Sequence, residues 1–500
     1  MTDMIAETIH GRVQGRARRG VVLFAGVPYA APTAGANRFL APQPPDPWAG
    51  VRDATHFGPA CPQLSDPGSM TAVPPKVVAE DCLVLNVSTP APDDARRPVL
   101  VWIHGGGYRG GQSNVPWYDG AAFGTNGDIV VVSVNYRLGA FGFTDLSFLD
   151  GTYEQSSTVG LDDCVAALEW VRENIGAFGG DPARVTVAGE SAGAFAVTSL
   201  LAAPRTRGLF ARAVAQSGGG HHTIDPALAQ EVGRRFVSAV GASSAQELTD
   251  ASVDDLLAAQ AKVEADIGPG VLGGRNELGL TTGPFYPAHG TALLPDRPVE
   301  LLARGQGADV ALLTGTNATE TTLFEIGVPD IDRDGLRRRV SNLTDDPDAL
   351  IAAYRAGRPD ATPSALRTAI TTDWTFRIPA VRSAEARAAA GGRAPTWMYL
   401  FTWPSPTLGA THALEIPFVF DNLAAPGVEA FAGPHPPQAV ADAMHRSWIG
   451  FVRDGDPGHA GIPSWPAYLP DRRAVLGYDL DCSLLDDPDG AEREAWNGIR

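Results

Sequence analysis

Gly189-Glu190-Ser191-Ala192-Gly193 is the sharpest chemical signal in the 500 residues. It lies between an apolar run, Val185 to Gly189, and a helical stretch reading SAGAFAVTSLLA. A serine between glycines at a strand-to-helix turn is lifted clear of the backbone, where its hydroxyl can act as a nucleophile. The same serine could serve merely as a helix N-cap, so the motif needs partners before it means catalysis. Upstream, His104-Gly105-Gly106-Gly107 closes a second apolar run, PVLVWIHGGG. Consecutive glycines let backbone N–H groups close on the oxyanion of a tetrahedral acyl-transfer intermediate. The rival use of such glycines is to cradle phosphate, but no Gly-Lys-Ser/Thr follows.

Acyl transfer from a serine at this kind of turn also needs a base and an orienting acid, following in the order Ser, acid, His. Beyond residue 300 stand His412, His435, His445 and His459. His445 falls on an amphipathic helix, His435 among prolines, and His459 after the turn Gly455-Asp456-Pro457-Gly458. His412 hangs in LGATHALEIPFVF, a loop after the apolar run ending near Trp403, where a base belongs at the carboxyl edge of a sheet. It is the best placed of the four, though spacing alone leaves the choice open. Glu320 follows the run Val310 to Thr314 on the same edge. Asp309 begins that run at the wrong end, and Glu325 is the nearby competitor.

Such residues meet only if one sheet brings them together. Continuous apolar runs at 99–104, 128–139, 185–189 and 210–218 alternate with helical segments such as LDDCVAALEWVRENIGAFGG. That alternation predicts a large, mostly parallel central sheet covered on both faces by helices. Further strands are read at 308–316 and 396–403, and a late helix in AVADAMHRSWIGFVRDG. Helical periodicity at about 225–300 and 329–395 predicts a cap grown from the loops of that sheet. The first ninety residues read as short strands among Pro-rich loops, a small N-terminal β region. No repeat and no long linker divides the chain, so residues 1–500 are read as one catalytic domain.

Thirty-nine Lys and Arg against 57 Asp and Glu leave a net charge of −18. Such a surface repels nucleic acid. Lys76 and Lys262 are the only lysines, and no basic cluster addresses an anionic membrane. The first twenty residues lack an apolar leader core and no 18-residue apolar run exists, so the expectation is a cytoplasmic protein. The sequons at Asn86, Asn317 and Asn342 are accordingly read as chance matches. Cys61, Cys82, Cys164 and Cys482 form neither a disulfide scaffold nor a C-x-x-C pair. No metal and no cofactor is expected. The expected partner is a small-molecule substrate, on a monomer or weak homo-oligomer.

Ordered matches run along nearly the whole chain: Gly26-Val27-Pro28-Tyr29-Ala30, Glu80-Asp81-Cys82-Leu83, His104 to Gly107, Asn135 to Gly139, Phe178 to Pro182, Gly189 to Gly193, Gln216-Ser217-Gly218, Gly315-Thr316-Asn317, and His412 with Phe418-Val419-Phe420. In these the chain resembles the type-B carboxylesterases of the α/β-hydrolase fold, a group that includes cholinesterases and bacterial p-nitrobenzyl esterases. The resemblance implies Ser191 as nucleophile, Glu320 as acid and His412 as base, with oxyanion N–H groups from Gly106, Gly107 and Ala192. It further suggests Glu190, Tyr108, His221 and Phe324 around the substrate, a supporting hydroxyl at Ser217, and ion pairs Arg38–Glu80 and Arg137–Asp163. The implied reaction is hydrolysis of small uncharged esters. The alternatives are a specialised hydrolase of a carbamate, lactone or polyester, and a non-catalytic adhesion protein on the same fold.

The chain also departs from the family. The acid stands in Thr319-Glu320-Thr321 rather than Asp-Glu-Gly, Cys164 replaces a common Gln, and His289 replaces a common Asp. Cys61 and Cys82 match a loop disulfide of secreted members and are expected to be reduced in a cytosol. Pro62 to Asp81 holds no aromatic residue, where cholinesterases place a tryptophan for cation–π attraction. Choline esters are therefore not the expected substrate.

Overall fold

The apolar runs become neighbours in one twisted sheet. The computed structural model describes residues 4–64, 75, 77–267 and 283–500, so 268–282 of the expected cap lie outside the described residues. In chain order the strands are β1 (Ile5–Thr8), β2 (Gly11–Gln14), β3 (Arg16–Arg18), β4 (Val21–Pro28), β5 (Val51–Asp53), β6 (Val84–Thr89) and β7 (Arg97–Ile103). They continue as β8 (Val130–Val134), β9 (Gly180–Glu190), β10 (Arg212–Gln216), β11 (Ala311–Asn317), β12 (Thr396–Phe401), β13 (Ala474–Tyr478) and β14 (Ser483–Asp486). Eleven of them pair in the order β14-β13-β12-β11-β10-β9-β7-β8-β6-β4-β3, and β1-β2-β5 make the small N-terminal sheet.

From β8 through β13 every pairing is parallel. The sheet is thus mostly parallel, as expected: only at the rims do β3, β4 and β6 close one edge antiparallel and β14 the other. β8 and β12 are buried at every position, which is why they read as unbroken apolar runs rather than alternating ones. The run from Asp128 stops being strand at Val134. Beyond it Arg137 turns inward to grip Asp163 with Nε at 2.8 Å and Nη2 at 2.6 Å, and Tyr29 Oη donates to the Asn135 carbonyl at 2.6 Å.

Helices occupy the described parts of both expected insertions, at Pro226–Val240, Ala245–Asp250, Val253–Asp266 and Pro298–Ala303, then Arg333–Val340, Pro347–Gly357, Pro363–Thr372 and Ile378–Ala389. Their starts are written locally. Asp225, Asp346 and Thr362 each accept a hydrogen bond from an N–H of the first turn, with proline at the next position. A five-residue π-turn, Asp373–Arg377, interrupts the last pair of helices. Among the described residues no helix is long and apolar enough to cross a membrane.

Register sets the functional edge. Glu190 of β9 faces Gln216 of β10, Gln216 faces Gly315 of β11, and Asn317 faces Phe401 of β12. The carboxyl ends of four adjacent strands thus open on one rim. Ser191, Ser217, the Glu320 loop and the His412 loop all leave from it.

Candidate active site

Ser191 stands between β9 and the helix Ala192–Ala202 with φ 56° and ψ −124°. A left-handed φ on a non-glycine residue costs on the order of 1–3 kcal/mol and persists only where its surroundings fix it. Here Ser191 N donates to the Gln216 carbonyl at 2.9 Å, and Phe195 N donates to the Ser191 carbonyl at 2.9 Å. Gly193 is required by close approach, because a Cβ there would collide with the Ile103 carbonyl at the end of β7. The helix can therefore cross tightly behind the serine, whose side chain is left 6% exposed.

The glycine loop lies against this elbow. A Cβ on Gly105 would come within 3.0 Å of Ser191 Cβ. Gly106 and Gly107 take φ 112° and 62°, and the Gly106 carbonyl accepts from Arg109 N at 3.0 Å and Gly110 N at 3.1 Å. His104 bonds through Nδ1 to the Gly105 carbonyl at 2.8 Å, and burial lowers its ring to about 4, so it is neutral.

Glu320 and His412 are sewn together by the loops that carry them. Backbone bonds run from His412 N to the Glu320 carbonyl at 3.1 Å and from Thr319 N to the Ala410 carbonyl at 3.0 Å. Asn317 adds its side-chain Nδ2, donating to the Thr411 carbonyl at 2.6 Å. Between the side chains, His412 Nδ1 lies 2.6 Å from Glu320 Oε2, and both residues are fully buried. The other carboxylate oxygen, Oε1, accepts from Asn317 N at 2.7 Å. Glu325 is elsewhere, held by Arg367 Nε at 3.1 Å and Thr368 Oγ1 at 2.6 Å.

The opposite ring nitrogen faces Glu190. His412 Nε2 lies 3.1 Å from Glu190 Oε1, an ion-pair distance without hydrogen-bond geometry. No hydrogen bond joins Ser191 Oγ to the ring in this structure. Glu415 completes a group of three buried carboxyls, accepting from Gln216 Nε2 at 3.1 Å and Asn317 Nδ2 at 2.7 Å. Burial alone would push the His412 ring down, but Glu190 and Glu320 outweigh it and lift the ring to about 9. Burial pushes Glu190 up to about 8, against the pull of His412 and with the help of Glu415 and Glu320. Burial and the nearby Glu320 likewise raise Glu415 to about 7.

Aromatic rings enclose the imidazole. Phe376, presented by the π-turn, has its centroid 4.5 Å from that of His412, and Phe324 lies at 5.3 Å. Tyr108, with φ 59°, is fully buried among Tyr136, Phe143, Phe195 and Tyr286. Burial lowers the His221 ring, and the charges of Arg500, Arg297 and Arg382 add to the shift. The next ring, His222, stacks on Phe195 with centroids 3.5 Å apart and meets the Gly219 carbonyl at 3.0 Å and the Thr375 carbonyl at 2.8 Å. Ser217 is fully buried with φ 58°, and its hydroxyl has no hydrogen-bond partner among the described residues.

The remaining histidines are occupied away from this edge. His445 bonds the Val419 carbonyl at 2.8 Å, His459 bonds the Ala443 carbonyl at 3.0 Å, and His435 is exposed. Sequence reasoning missed Phe376, Asn317 and Glu415. Glu415 stands three residues after His412 but looks like any loop carboxylate, and Phe376 sits in a charged helical stretch with no motif of its own. Arg38 grips Glu80 through two bonds of 2.7 Å, as Arg137 grips Asp163. Cys61 and Cys82 are free and buried with Sγ atoms 2.6 Å apart, and Cys164 is a buried helix residue. A small cavity bounded by Val381, Met398, Tyr468 and Arg473 includes none of Ser191, Glu320 and His412. Among the described residues no cluster of three His, Cys, Asp or Glu could hold a metal ion.

The carboxylesterase family model matches residues 2–493. Over 510 aligned positions the chain is 38% identical to the para-nitrobenzyl esterase of Bacillus subtilis (strain 168), covering 99% of this chain and 98% of that one. It is 36% identical over 501 positions to the phenmedipham hydrolase of Pseudarthrobacter oxydans, covering 95% of each. A carboxylesterase of Geobacillus stearothermophilus superposes with a TM-score of 0.87 at 39% identity, covering 99% of this chain and 100% of that structure.

Proposed function

The chain belongs to the carboxylesterase family and is an ester-hydrolysing enzyme of the α/β-hydrolase fold, and on that premise we propose that Ser191, His412 and Glu320 carry the reaction. Ser191 Oγ attacks the ester carbonyl while His412 Nε2 takes its proton. The N–H groups of Gly106, Gly107 and Ala192 hold the oxyanion of the tetrahedral intermediate, each donor worth about 3 kcal/mol of barrier. His412 then returns the proton to the departing alcohol, leaving an acyl-enzyme, and water repeats the sequence to free the acid. Glu320 fixes the tautomer, keeping the Nδ1 proton on its own side so that Nε2 carries the lone pair that takes the serine proton, and steadies the cation that forms.

The observation that carries this reading is the fully buried 2.6 Å contact between His412 Nδ1 and Glu320 Oε2, on loops that flank an elbow whose serine has φ 56°. A link between Ser191 Oγ and Nε2 is not required in a resting enzyme, since catalytic hydrogen bonds often tighten only with substrate bound. The net charge of −18 favours uncharged esters over anionic ones, and we take small uncharged esters as the substrate class. A relative named for a single substrate, phenmedipham, favours a second reading, a specialised hydrolase of a carbamate, lactone or polyester.

p-Nitrophenyl esters from acetate to decanoate, assayed with wild type and Ser191→Ala, test the assignment. Wild type should turn over the short members and be labelled by an organophosphate, while Ser191→Ala loses on the order of 10⁴-fold or more and takes no label. Wild-type levels of turnover in Ser191→Ala would dismiss the nucleophile. Activity confined to a carbamate or lactone would select the second reading.

A further inference from the structure

The five residues of the π-turn Asp373–Arg377 divide their contacts between two sides. Ile378 N donates to the Asp373 carbonyl, five residues back, and single π-turns of this kind inside α-helices are frequent at functional sites. Two residues meet the reacting edge. Phe376 sets its ring 4.5 Å from that of His412 with the planes 32° apart, and the Thr375 carbonyl meets His222 Nε2 at 2.8 Å. The other three are held from behind. Trp496 Nε1 donates to Tyr354 Oη at 2.7 Å, and Tyr354 Oη donates to Asp373 Oδ2 at 2.5 Å. The Trp374 ring lies 5.5 Å from that of Trp496, with Arg500 Cζ 4.3 Å over it. Arg377 grips Asp489 Oδ2 through Nη1 at 2.7 Å and the Pro488 carbonyl through Nη2.

Asp373, Trp374, Tyr354 and Trp496 are all buried, where an unmade hydrogen bond is costly. Burial and the charge of Asp373 raise the Tyr354 hydroxyl well above its usual range, so it stays protonated and donates. The Phe376 contact matters because Glu320 holds the His412 ring at one atom, Nδ1, about which the ring can still tilt. Tilt decides what Nε2 faces, and in this structure that atom lies 3.1 Å from Glu190 Oε1 with no hydrogen bond. A second ring laid against the imidazole restricts the tilt.

We propose that Tyr354 and Arg377 are positioning residues for ester hydrolysis: their bonds to Asp373 and Asp489 fix the π-turn, whose Phe376 ring sets the tilt of His412 toward Ser191. The proposal rests on His412 being the base. Misplacing a reacting group by about 1 Å costs on the order of a hundredfold in rate, so loosening one of two ties should cost about fivefold to tenfold.

Tyr354→Phe removes one hydroxyl, Arg377→Met keeps the stem and deletes the outer tie, and Phe376→Leu removes the ring contact. For each, kcat and KM for p-nitrophenyl acetate are measured per serine titrated to completion with an organophosphate, so that misfolded molecules do not count. Each tie variant should lose about fivefold to tenfold in kcat, with KM held within about twofold. Phe376→Leu should lose at least as much, and adding either tie variant to it should cost nothing further, because the ties act through that ring. Undiminished kcat in either tie variant overturns the inference, even where Tm falls. So does a loss confined to KM, or the same loss with and without the Phe376 ring. If Tyr354→Phe fails to fold, Arg377→Met decides by the same criteria. Wild type inert toward esters overturns the reading of His412 as well, whereas an active, Ser191-dependent wild type with indifferent tie variants overturns the positioning role alone.

Discussion

Replacing Glu190 with Gln probes the most heavily charged contact of the site. Glu190 Oε1 lies 3.1 Å from His412 Nε2, the nitrogen that must receive the Ser191 proton. The carboxylate charge favours the protonated ring, whose Nε2 then lacks the lone pair the reaction needs, and the two groups titrate as a pair. With the carboxyl raised to about 8 and the ring to about 9, kcat/KM for an uncharged ester should climb with pH across that interval. The sign follows from the ring: its folded value lies above the ordinary 6.5, so the basic form, and with it the activity, is lost as pH falls through the raised value. The rise from 6.5 to about 9 corresponds to about 3 kcal/mol favouring the charged ring. Glutamine keeps the shape and deletes the charge, and an opposite charge at such a distance moves a pKa by about 1–3 units. The rising limb of the variant should therefore move down by about 1 to 2 pH units, with Glu320 retaining part of the lift. Initial rates from about pH 5 to about pH 10 read this directly, and near pH 6 the variant should outrun wild type by on the order of tenfold for each unit moved. A limb that stays in place, or moves upward, refutes the charge coupling and leaves Glu190 a steric role.

Glu320→Gln should lose on the order of 10³- to 10⁴-fold in kcat, because the amide can present the wrong face to Nδ1, whereas Glu325→Gln should keep nearly full activity; steady-state rates showing the reverse would move the acid to Glu325. Asp163→Asn strands the fully buried Arg137 guanidinium, which now holds that carboxylate through two bonds, and should cost about 3–5 kcal/mol. Thermal unfolding followed by circular dichroism should show a Tm lower by several degrees, with kcat at low temperature little changed. An unaltered Tm would mean that the pair is replaceable by neighbouring groups.

Much of this molecule is legible before folding, and the reasons are local. The central strands announce themselves because burial on both faces leaves no room for polar alternation, as at Val130–Val134 and Thr396–Phe401. Ser191 is readable because the tight crossing demands Gly189 and Gly193 in fixed places, and a glycine leaves a trace in the sequence. His412 and Glu320 carry weaker traces; only the strand end before each one narrows the choice, and the resemblance to a family completes it. The antiparallel rims are hidden because pairing partners are chosen by the whole sheet, not by the four or five residues of β14. Glu190 facing Nε2 and Glu415 behind Asn317 were likewise invisible, since a buried carboxyl is spelled like a solvated one.

β10 and β11 are hydrogen-bonded neighbours, as are β11 and β12, yet the chain leaves the sheet for a long helical excursion between the members of each pair. The entropy of closing such a loop grows only with the logarithm of its length. Lengthening, trimming or rewriting either excursion therefore perturbs the spacing of the strand ends very little. Ancestral lineages could have exchanged the vestibule while the reacting groups stayed fixed, and an engineer can do the same: graft a foreign excursion between Gln216 and Ala311, retune what enters, and keep the acyl chemistry below.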